Sequence, residues 1–423
     1  MGLALRKRRS VLMSRKVSAG LLAGVLVLGL AACGQGGDGS AEGSERANQM
    51  YTWVSNESDR EQWETFIAGV KESGDPEFEL ALEGPSFQEY WTLVRTRMSA
   101  SDAPCIMTTQ AARAQELGQL LAPLDELAAD AGLDLSMYNE AMMQGMTVDG
   151  TVRALPYDAE PMLLYYNKAL FEEKGLDLPG ATYTRDQFLS DAKAMTGDGK
   201  YGTYVAPDSM YPYLPIAFAD GNAPVKEGEL AVTESAFVDD FQWVMDLVAE
   251  EGVAAAPSAG DNDERGRAEF FAGNVAMIID GPWFYSTIVD GAEFEVGIAV
   301  PPSTSGESIG MIQGSGFGIA ESCPDKEAAF ANIMKMTTPD VVGYVGKNRG
   351  TVPSVPEAMD AWSEGKPAAD VAVVEALLEN ALPLETSSSW NQFVTQFAQY
   401  SPEGVRGVKT AEEILTSIDQ GIG

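Results

Sequence analysis

The apolar residues of this chain follow two alternating spacings. Short runs that are continuously apolar, or that alternate with polar residues, predict β-strands near residues 51–55, 78–82, 105–108, 162–166, 275–280, 294–300 and 316–320. Between these runs, apolar residues recur every three or four positions, as Trp63, Phe66, Ile67 and Val70 do, which predicts amphipathic helices. Strands that alternate with helices favour an α/β fold whose mostly parallel sheets are covered by helices on both faces.

Short polar motifs predict where several of the helices begin. The sequences SFQE at residues 86–89 and TRDQ at residues 184–187 have the capping-box pattern. In this pattern a hydroxyl and a side chain three residues later satisfy free backbone N–H groups. Thr233 is predicted to cap a further helix that carries Phe237 and Phe241 on its apolar side.

The chain is long and acidic. Its 423 residues, 45% of them hydrophobic, exceed what one hydrophobic core usually organises, so at least two domains are expected. Asp and Glu number 63 against 28 Lys and Arg, giving a net charge of −35. Such a surface repels phosphate backbones, and nucleic acid is not an expected partner. The absence of histidine excludes mechanisms and metal sites that depend on imidazole.

The first residues have the features of an export signal. Six basic residues and no acidic residue lie in the first 32 positions, and an apolar run at 17–30 is short for a membrane-spanning helix. The run leads into Leu-Ala-Ala-Cys33, which resembles a lipobox. We therefore expect residues 1–32 to be a lipoprotein signal peptide, and residues 33–47 to hold a lipidated Cys33 and a flexible tether. A plain signal peptide with an unrelated cysteine is the alternative.

Four motifs along the chain are informative as an ordered set. They are LPYDAE leading into LYYNKALF at residues 155–171, FFAGNVAM leading into GPW at 270–283, GSGFGI at 314–319, and GTVP at 350–353. Together they resemble the extracellular solute-binding proteins of family 1, the group that includes maltose-binding protein. The resemblance extends over about residues 51–400.

The resemblance implies a fold of two α/β lobes, the type II periplasmic-binding-protein fold, joined by a multi-strand hinge with the ligand between the lobes. The implied N-terminal lobe comprises residues 48–158 and 308–346, and the C-terminal lobe comprises 159–307 and 347–423. Chain crossings are expected near 158–161, 301–309 and 347–351. An exported location permits either a disulfide or two free thiols at Cys105 and Cys323. The implied lobe makes their strands neighbours, which favours the disulfide.

The resemblance also implies a set of ligand-binding residues. A sugar presents hydroxyl groups and apolar C–H faces, so its site combines aromatic rings with carboxylate and amide groups. The residues at the corresponding positions are Ser55, Asn56, Glu57, Thr109, Gln110, Asp158, Glu160, Tyr211, Tyr213, Trp283, Ser315, Arg349 and Trp390. Maltose-binding relatives have a tryptophan where this chain has Thr109, which argues against maltose itself as the ligand.

These features predict the substrate-binding lipoprotein of an ABC importer. It would be a monomer held outside the cell by the lipid on Cys33, and it would deliver a sugar or oligosaccharide to the membrane permease. No catalytic residue, metal or cofactor is expected. The alternatives are a binding protein for a polyamine or other polar solute, a ligand sensor of the same fold, and an exported glycosidase using Asp158 and Glu160. No nucleophile-elbow, phosphate-loop or zinc-protease motif supports an enzyme.

Overall fold

The computed structural model describes residues 45–54, 57–258 and 261–422. The predicted signal peptide, the lipidation site Cys33 and most of the predicted tether lie outside these residues. The last predicted tether positions already belong to the folded body. Ala47 is buried, and Arg46 Nε donates a hydrogen bond to the Ala103 carbonyl oxygen at 2.7 Å. No helix in the described part of the chain has both the length and the apolarity that a membrane crossing needs.

The strands of the described residues are short, and seven of the sixteen overlap one of the seven predicted apolar runs. They are β1 Gln49–Tyr51, β2 Ala81–Glu83, β3 Ile106–Gln110, β4 Thr147–Val148, β5 Thr151–Val152, β6 Ala154–Pro156, β7 Glu160–Pro161, β8 Leu163–Asn167, β9 Tyr201–Thr203, β10 Val225–Lys226, β11 Glu229–Leu230, β12 Val275–Asp280, β13 Val296–Ala299, β14 Met311–Gln313, β15 Ser315–Ile319 and β16 Leu382–Pro383.

Helices connect these strands and cover the sheets. The α-helices of the described residues are Glu57–Glu72, Phe87–Met98, Ala111–Leu117, Asp125–Ala131, Glu140–Gly145, Lys168–Lys174, Arg185–Met195, Leu214–Ala219, Ser235–Ala249, Asp263–Phe271, Tyr285–Gly291, Lys326–Met336, Pro339–Arg349, Met359–Ser363, Ala368–Glu379, Trp390–Gly404 and Ala411–Ile422. Single 3-10 turns occur at Gly118–Leu120, Leu135–Met137, Pro282–Phe284 and Pro356–Ala358.

Two of the three predicted helix starts have the predicted cap. Thr184 and Gln187 form a complete capping box, with the Gln187 amide donating to Thr184 Oγ1 at 3.1 Å. Ser86 Oγ accepts a hydrogen bond from the Glu89 amide at 3.4 Å. The prediction for Thr233 was wrong. The helix begins one residue later, at Ser235, and its N-cap position is Glu234, which makes no side-chain cap.

The first sheet has the strand order β2-β1-β3-β15-β6. β1 pairs in parallel with β2 and β3, whereas β15 pairs antiparallel with β3 and β6. β15 runs in the opposite direction because it starts directly after β14, at the end of the sheet where β3 and β6 finish. The sheet is therefore mixed but mostly parallel, as predicted: four of its five strands run in one direction and β15 runs against them, with helices around the sheet.

The second sheet has the order β13-β8-β12-β9 and is also mixed. β12 pairs in parallel with β9, while β8 is antiparallel to both β12 and β13. β8 follows β7 after one residue, so it enters the sheet at the end where β12 finishes in Asp280. A small third sheet of order β16-β14-β7 connects the segments that run between the two larger sheets.

Each large sheet has its own hydrophobic core. One core contains Trp63, Phe66 and Phe317 and draws on residues 47–157 and 317–358. The other contains Phe241 and Phe397 and draws on residues 162–300 together with later segments from 311 onward. Each fully buried large apolar side chain contributes about 1.5–3 kcal/mol to folding. Two separate cores match the two lobes that the motifs imply.

The crossing segments differ in detail from the prediction. The first crossing contains β7 and agrees with 158–161, but the second is at β14 and β15 rather than at 301–309. Ser303 still pairs with Thr184, and the Ile309 amide bonds to the Ala219 carbonyl, so these residues remain with the second core. The third crossing extends past 347–351, because Val355 still packs in the first core. The described residues from 45 to 422 group as one compact unit, and the lobe boundaries stay a prediction.

Cys105 and Cys323 form a disulfide in the first core, with their Cα atoms 4.9 Å apart. Cys105 precedes β3 and Cys323 follows β15, two strands that are hydrogen-bonded neighbours. The Ala320 amide also donates to the Cys105 carbonyl oxygen at 2.8 Å. The bridge therefore joins two distant parts of the chain, 218 residues apart, at the end of these strands away from Gln110.

Candidate functional site

A cavity of about 530 Å³ lies beside the crossing segments, within the usual size range of small-molecule sites. Three of its lining residues lie at strand ends: β3 ends in Gln110, β12 ends in Asp280, and β15 begins at Ser315. The lining residues are Trp53, Asp59, Gln62, Phe87, Gln110, Tyr157, Asp158, Glu160, Tyr211, Asn262, Asp263, Glu264, Arg267, Asp280, Trp283, Phe284, Ser286, Thr287, Gln313, Gly314, Ser315, Asn348 and Arg349.

Two buried carboxylates lie in the first crossing segment. Asp158 Oδ1 accepts a hydrogen bond from the Ser315 amide at 2.5 Å, and Glu160 Oε1 accepts one from the Val352 amide at 3.1 Å. The Asp158 bond joins the first crossing to the second, and the Glu160 bond joins the first crossing to the third. The pair therefore connects all three segments that run between the sheets. Glu160 Oε2 is buried and has no hydrogen-bond partner among the described residues.

Burial dominates the electrostatics of this pair. It raises the pKa of Asp158, although the Ser315 amide opposes the shift by favouring the charged form. Burial also raises the pKa of Glu160 well above its ordinary value, and the neighbouring Asp158 adds to that shift. Near neutral pH the two groups therefore retain a proton between them, and the pair can both donate and accept hydrogen bonds.

Asp280 and Arg267 form a second polar group in the cavity wall. Asp280 Oδ2 accepts from Arg267 Nη1 at 2.6 Å, and Asp280 Oδ1 accepts from the Gly281 amide at 2.8 Å. The Arg267 guanidinium lies 4.0 Å from the centre of the Phe284 ring, a cation–π contact. Burial raises the pKa of Asp280, and the charge of Arg267 opposes that shift. The ion pair and the ring fix Arg267 in one orientation.

Asp263 adds a carboxylate at the start of the helix Asp263–Phe271. Its Oδ2 accepts a hydrogen bond from Ser209 Oγ at 2.7 Å, and the same Ser209 oxygen accepts the Tyr211 amide at 3.2 Å. Burial raises the pKa of Asp263 to about 6. Ser209 thus connects the helix start to the loop that carries Tyr211, so that both side chains line the cavity.

Aromatic rings form the apolar part of the wall. The rings of Trp283 and Tyr211 are 6.0 Å apart between centroids, and Trp283 and Phe284 are 6.3 Å apart. On the side of the first core, Trp53 and Phe87 meet edge to face with centroids 5.2 Å apart. Flat rings beside carboxylates, amides and hydroxyls suit a solute with apolar faces and a polar rim.

The structure brings seven of the residues predicted from the sequence together in the cavity. They are Gln110, Asp158, Glu160, Tyr211, Trp283, Ser315 and Arg349. Gln110 Nε2 lies 3.4 Å from Ser315 Oγ, which joins the end of β3 to the start of β15. The predicted residues Ser55 and Asn56 lie outside the described residues.

Four other predicted residues do not line the cavity. Thr109 is fully buried where β3 pairs with Gly316, and Glu57 is exposed at the first residue of its helix. Tyr213 packs in the second core, 5.1 Å from Phe241 between ring centroids. Trp390 is also buried, stacked on Phe393 at 5.2 Å. These side chains belong to cores or to the surface.

Several lining residues were not selected from the sequence. Asp280 directly precedes the GPW motif at the end of a predicted strand, a position where parallel strands often place ligand-binding groups. Trp53 lies within the predicted strand 51–55 and Gln313 lies three residues before the predicted strand 316–320, and these positions could have identified them. Asn262 and Arg267 had no such signal, because only the tertiary fold brings their helix to the cavity. No cluster of three or more potential metal ligands occurs among the described residues.

Comparison with known proteins gives one family match. The model of the family described as bacterial extracellular solute-binding protein matches residues 58–342. A galactooligosaccharide-binding protein of Bacillus subtilis is 25% identical over 291 residues, which cover 64% of this chain and 64% of that protein. The match thus spans a little under two thirds of that relative. A maltodextrin-binding protein of B. subtilis is also 25% identical, over 74% of this chain and 73% of its own length.

Solved structures show the same fold at low sequence identity. An ABC substrate-binding protein from Listeria monocytogenes in complex with cycloalternan superposes with a TM-score of 0.77 at 19% identity, covering 88% of this chain and 97% of that one. Maltose-bound MalE3 of T. maritima superposes with a TM-score of 0.73 at 20% identity, covering 88% and 98%. The two-lobed fold predicted from the motifs is therefore confirmed.

Proposed function

We propose that this chain, which belongs to the family of bacterial extracellular solute-binding proteins, captures a sugar or oligosaccharide in the cavity beside its crossing segments. The observation that carries the proposal is the composition of the cavity wall. Trp283 and Tyr211 supply ring faces beside the polar side chains of Gln313, Asp158 and Glu160. Ring faces pack against the C–H surface of a pyranose while amides and carboxyls bond its hydroxyl groups.

Binding and closure would be coupled through the crossing segments. Asp158 and Glu160 already hold backbone amides of the other two crossings, at Ser315 and Val352. A solute that bonds the same carboxyls therefore acts on all three connections between the sheets. We propose that this contact favours the closed arrangement of lobes comprising about residues 48–158 with 308–346, and 159–307 with 347–423. Closure at a multi-strand hinge leaves both cores intact.

The proposed setting is an importer. In it, Cys33 carries a lipid that holds the protein at the outer face of the membrane, and a permease receives the solute from the closed form. The family consists of binding proteins, and we propose that this chain likewise binds its solute without chemical turnover. The named sugar ligands of the relatives support a carbohydrate as the class of solute.

A thermal-shift screen tests the sugar proposal. The panel would contain mono- and oligosaccharides, amino acids, polyamines and glycerol phosphates. A ligand at a hundred times its dissociation constant stabilises the folded state by about 2.7 kcal/mol, which is a readily measured shift. Stabilisation by a sugar, with no change in the sugar after prolonged incubation, supports the proposal. Stabilisation by non-carbohydrate solutes alone would refute it.

The lipid anchor is tested separately in cells. The wild-type protein should fractionate with membranes, and Cys33→Ala should move it to the soluble extracytoplasmic fraction. Glu57→Gln provides the control, because Glu57 is exposed and lies outside the signal region. Retention of the Cys33→Ala protein in the membrane fraction would contradict the anchor.

A further inference from the structure

The charges that line the cavity are strongly unbalanced. Six acidic side chains lie in the wall against two arginines, and no lysine is among the lining residues of the described chain. Both arginines already have an acidic neighbour. Arg267 contacts Asp280 at 2.6 Å, and Arg349 lies 3.5 Å from Glu61, which is not a lining residue. The wall therefore presents an excess of carboxyl groups.

The excess is most pronounced at the Asp158–Glu160 pair. Their side chains are 5% and 1% exposed, so water offers them little solvation. Within the described residues, neither carboxylate has an ion-pairing Lys or Arg within 4.0 Å. The hydrogen bonds from the Ser315 and Val352 amides occupy one oxygen each, and Glu160 Oε2 has no partner. A buried ionised carboxylate without a counter-charge is costly, so such a group either keeps a proton or gains a cation from a ligand.

We propose that the captured sugar carries a protonated amino group, and that this group binds at the Asp158–Glu160 pair. The inference rests on the proposed sugar-binding function and narrows its ligand to amino sugars or their oligosaccharides. An ammonium group supplies three N–H donors and the missing positive charge, whereas a hydroxyl supplies one donor and no charge. The ring faces of Trp283 and Tyr211 and the amide of Gln313 remain available for the rest of the pyranose.

The electrostatics of the two carboxyls agree with this assignment. Burial raises the pKa of both carboxyls because no protein cation stabilises their charged forms. A bound ammonium would reverse that effect by favouring ionisation. A simple polyamine would satisfy the charges, but it would leave the aromatic wall and the amides without a matching carbohydrate surface. For this reason the combination of groups favours an amino sugar.

Titration calorimetry of the full-length protein at pH 7 tests the proposal with a matched ligand series. The series is the glucosamine disaccharide, its N-acetylated form and cellobiose, with spermidine as the non-sugar cation. We expect the amine-bearing disaccharide to bind at least tenfold more tightly than the two neutral disaccharides. Glu160→Gln should remove most of that preference, so that in this variant the amine-bearing and neutral disaccharides bind within about threefold of one another.

The outcomes separate this inference from the proposed function. If a neutral disaccharide binds as tightly as the amine-bearing one, the amino-group inference is overturned while sugar binding stands. If only spermidine binds, or if no member binds, the amino-group inference is overturned, and the stability screen with its wider sugar panel decides separately whether sugar binding stands. Asp158→Asn provides a second variant should Glu160→Gln fold poorly. Glu57→Gln is the matched control, because Glu57 is exposed and does not line the cavity.

Discussion

Substitution of Glu160 by Gln should change how the stability of the unliganded protein depends on pH. Glu160 is 1% exposed, and burial raises its pKa well above the ordinary value near 4.3. The folded state therefore holds a proton that the unfolded state releases once the pH exceeds about 4. Stability contributed by such a group is complete below the unfolded pKa and is lost as the pH rises through the folded pKa.

The magnitude follows from the same linkage. Burial raises the pKa of the partner Asp158 to about 8, so the pair retains a proton across pH 5 to 8. One proton retained over three pH units corresponds to about 4 kcal/mol, at about 1.4 kcal/mol per unit. The two coupled carboxyls together cause this pH-dependent loss of stability, so removing one carboxyl should abolish about half of the loss. We expect Glu160→Gln to gain about 2 kcal/mol relative to wild type between pH 5 and pH 8.

Urea unfolding followed by tryptophan fluorescence at several pH values measures this difference. Comparing the two pH values within each variant cancels constant effects, such as a weaker hydrogen bond from Val352 to the amide side chain. Glu57→Gln is the control, since it removes an exposed carboxyl and should follow the wild-type curve. Parallel pH dependence for wild type and Glu160→Gln would refute the claim that burial controls this site.

Two further predictions concern the framework. Reducing the Cys105–Cys323 disulfide, which links residues 218 apart, should lower the free energy of unfolding by about 5 kcal/mol in the chain-entropy estimate. An unchanged urea midpoint in dithiothreitol would contradict this. Gly350→Ala should destabilise the protein by about 2–3 kcal/mol, because Gly350 has a φ of +87° and an added Cβ would lie 2.8 Å from Ser286 Oγ. Gly132→Ala, at a φ of +69° with open space, should cost about 1 kcal/mol in the same assay, and equal losses would refute the steric contribution at Gly350.

Local signals in the sequence predicted the fold well because they depend on neighbouring residues. The capping box at Thr184, the spacing of Trp63 and Phe66, and the apolar run that becomes β12 each report on one element. The first predicted crossing, at 158–161, coincides with β7. Near the other two predicted crossings, Ile309 and Val355 are bound to their cores by long-range contacts that no local pattern encodes.

The candidate site was only partly predictable for the same reason. Asp158, Glu160 and Trp283 lie in recognisable motifs and do line the cavity. Tyr213 and Trp390 have residue types that suit a sugar site, but their side chains face the second core. Conversely, Arg267 lines the cavity because its helix packs beside β12. Its residue type alone does not mark it as a cavity residue, since other arginines of the chain share it.

The central claim is that the cavity beside Trp283 captures a sugar, and calorimetric titration tests it most directly. The sugar selected by the stability screen would be titrated into wild type, Trp283→Ala and Trp243→Ala. Trp243 is partly buried and packs on Phe188 away from the cavity, so its variant controls for the loss of a tryptophan. We predict one sugar per chain, at least tenfold weaker binding for Trp283→Ala, and near wild-type binding for Trp243→Ala. Unchanged affinity in Trp283→Ala, or no binding of any sugar to wild type, would contradict the account.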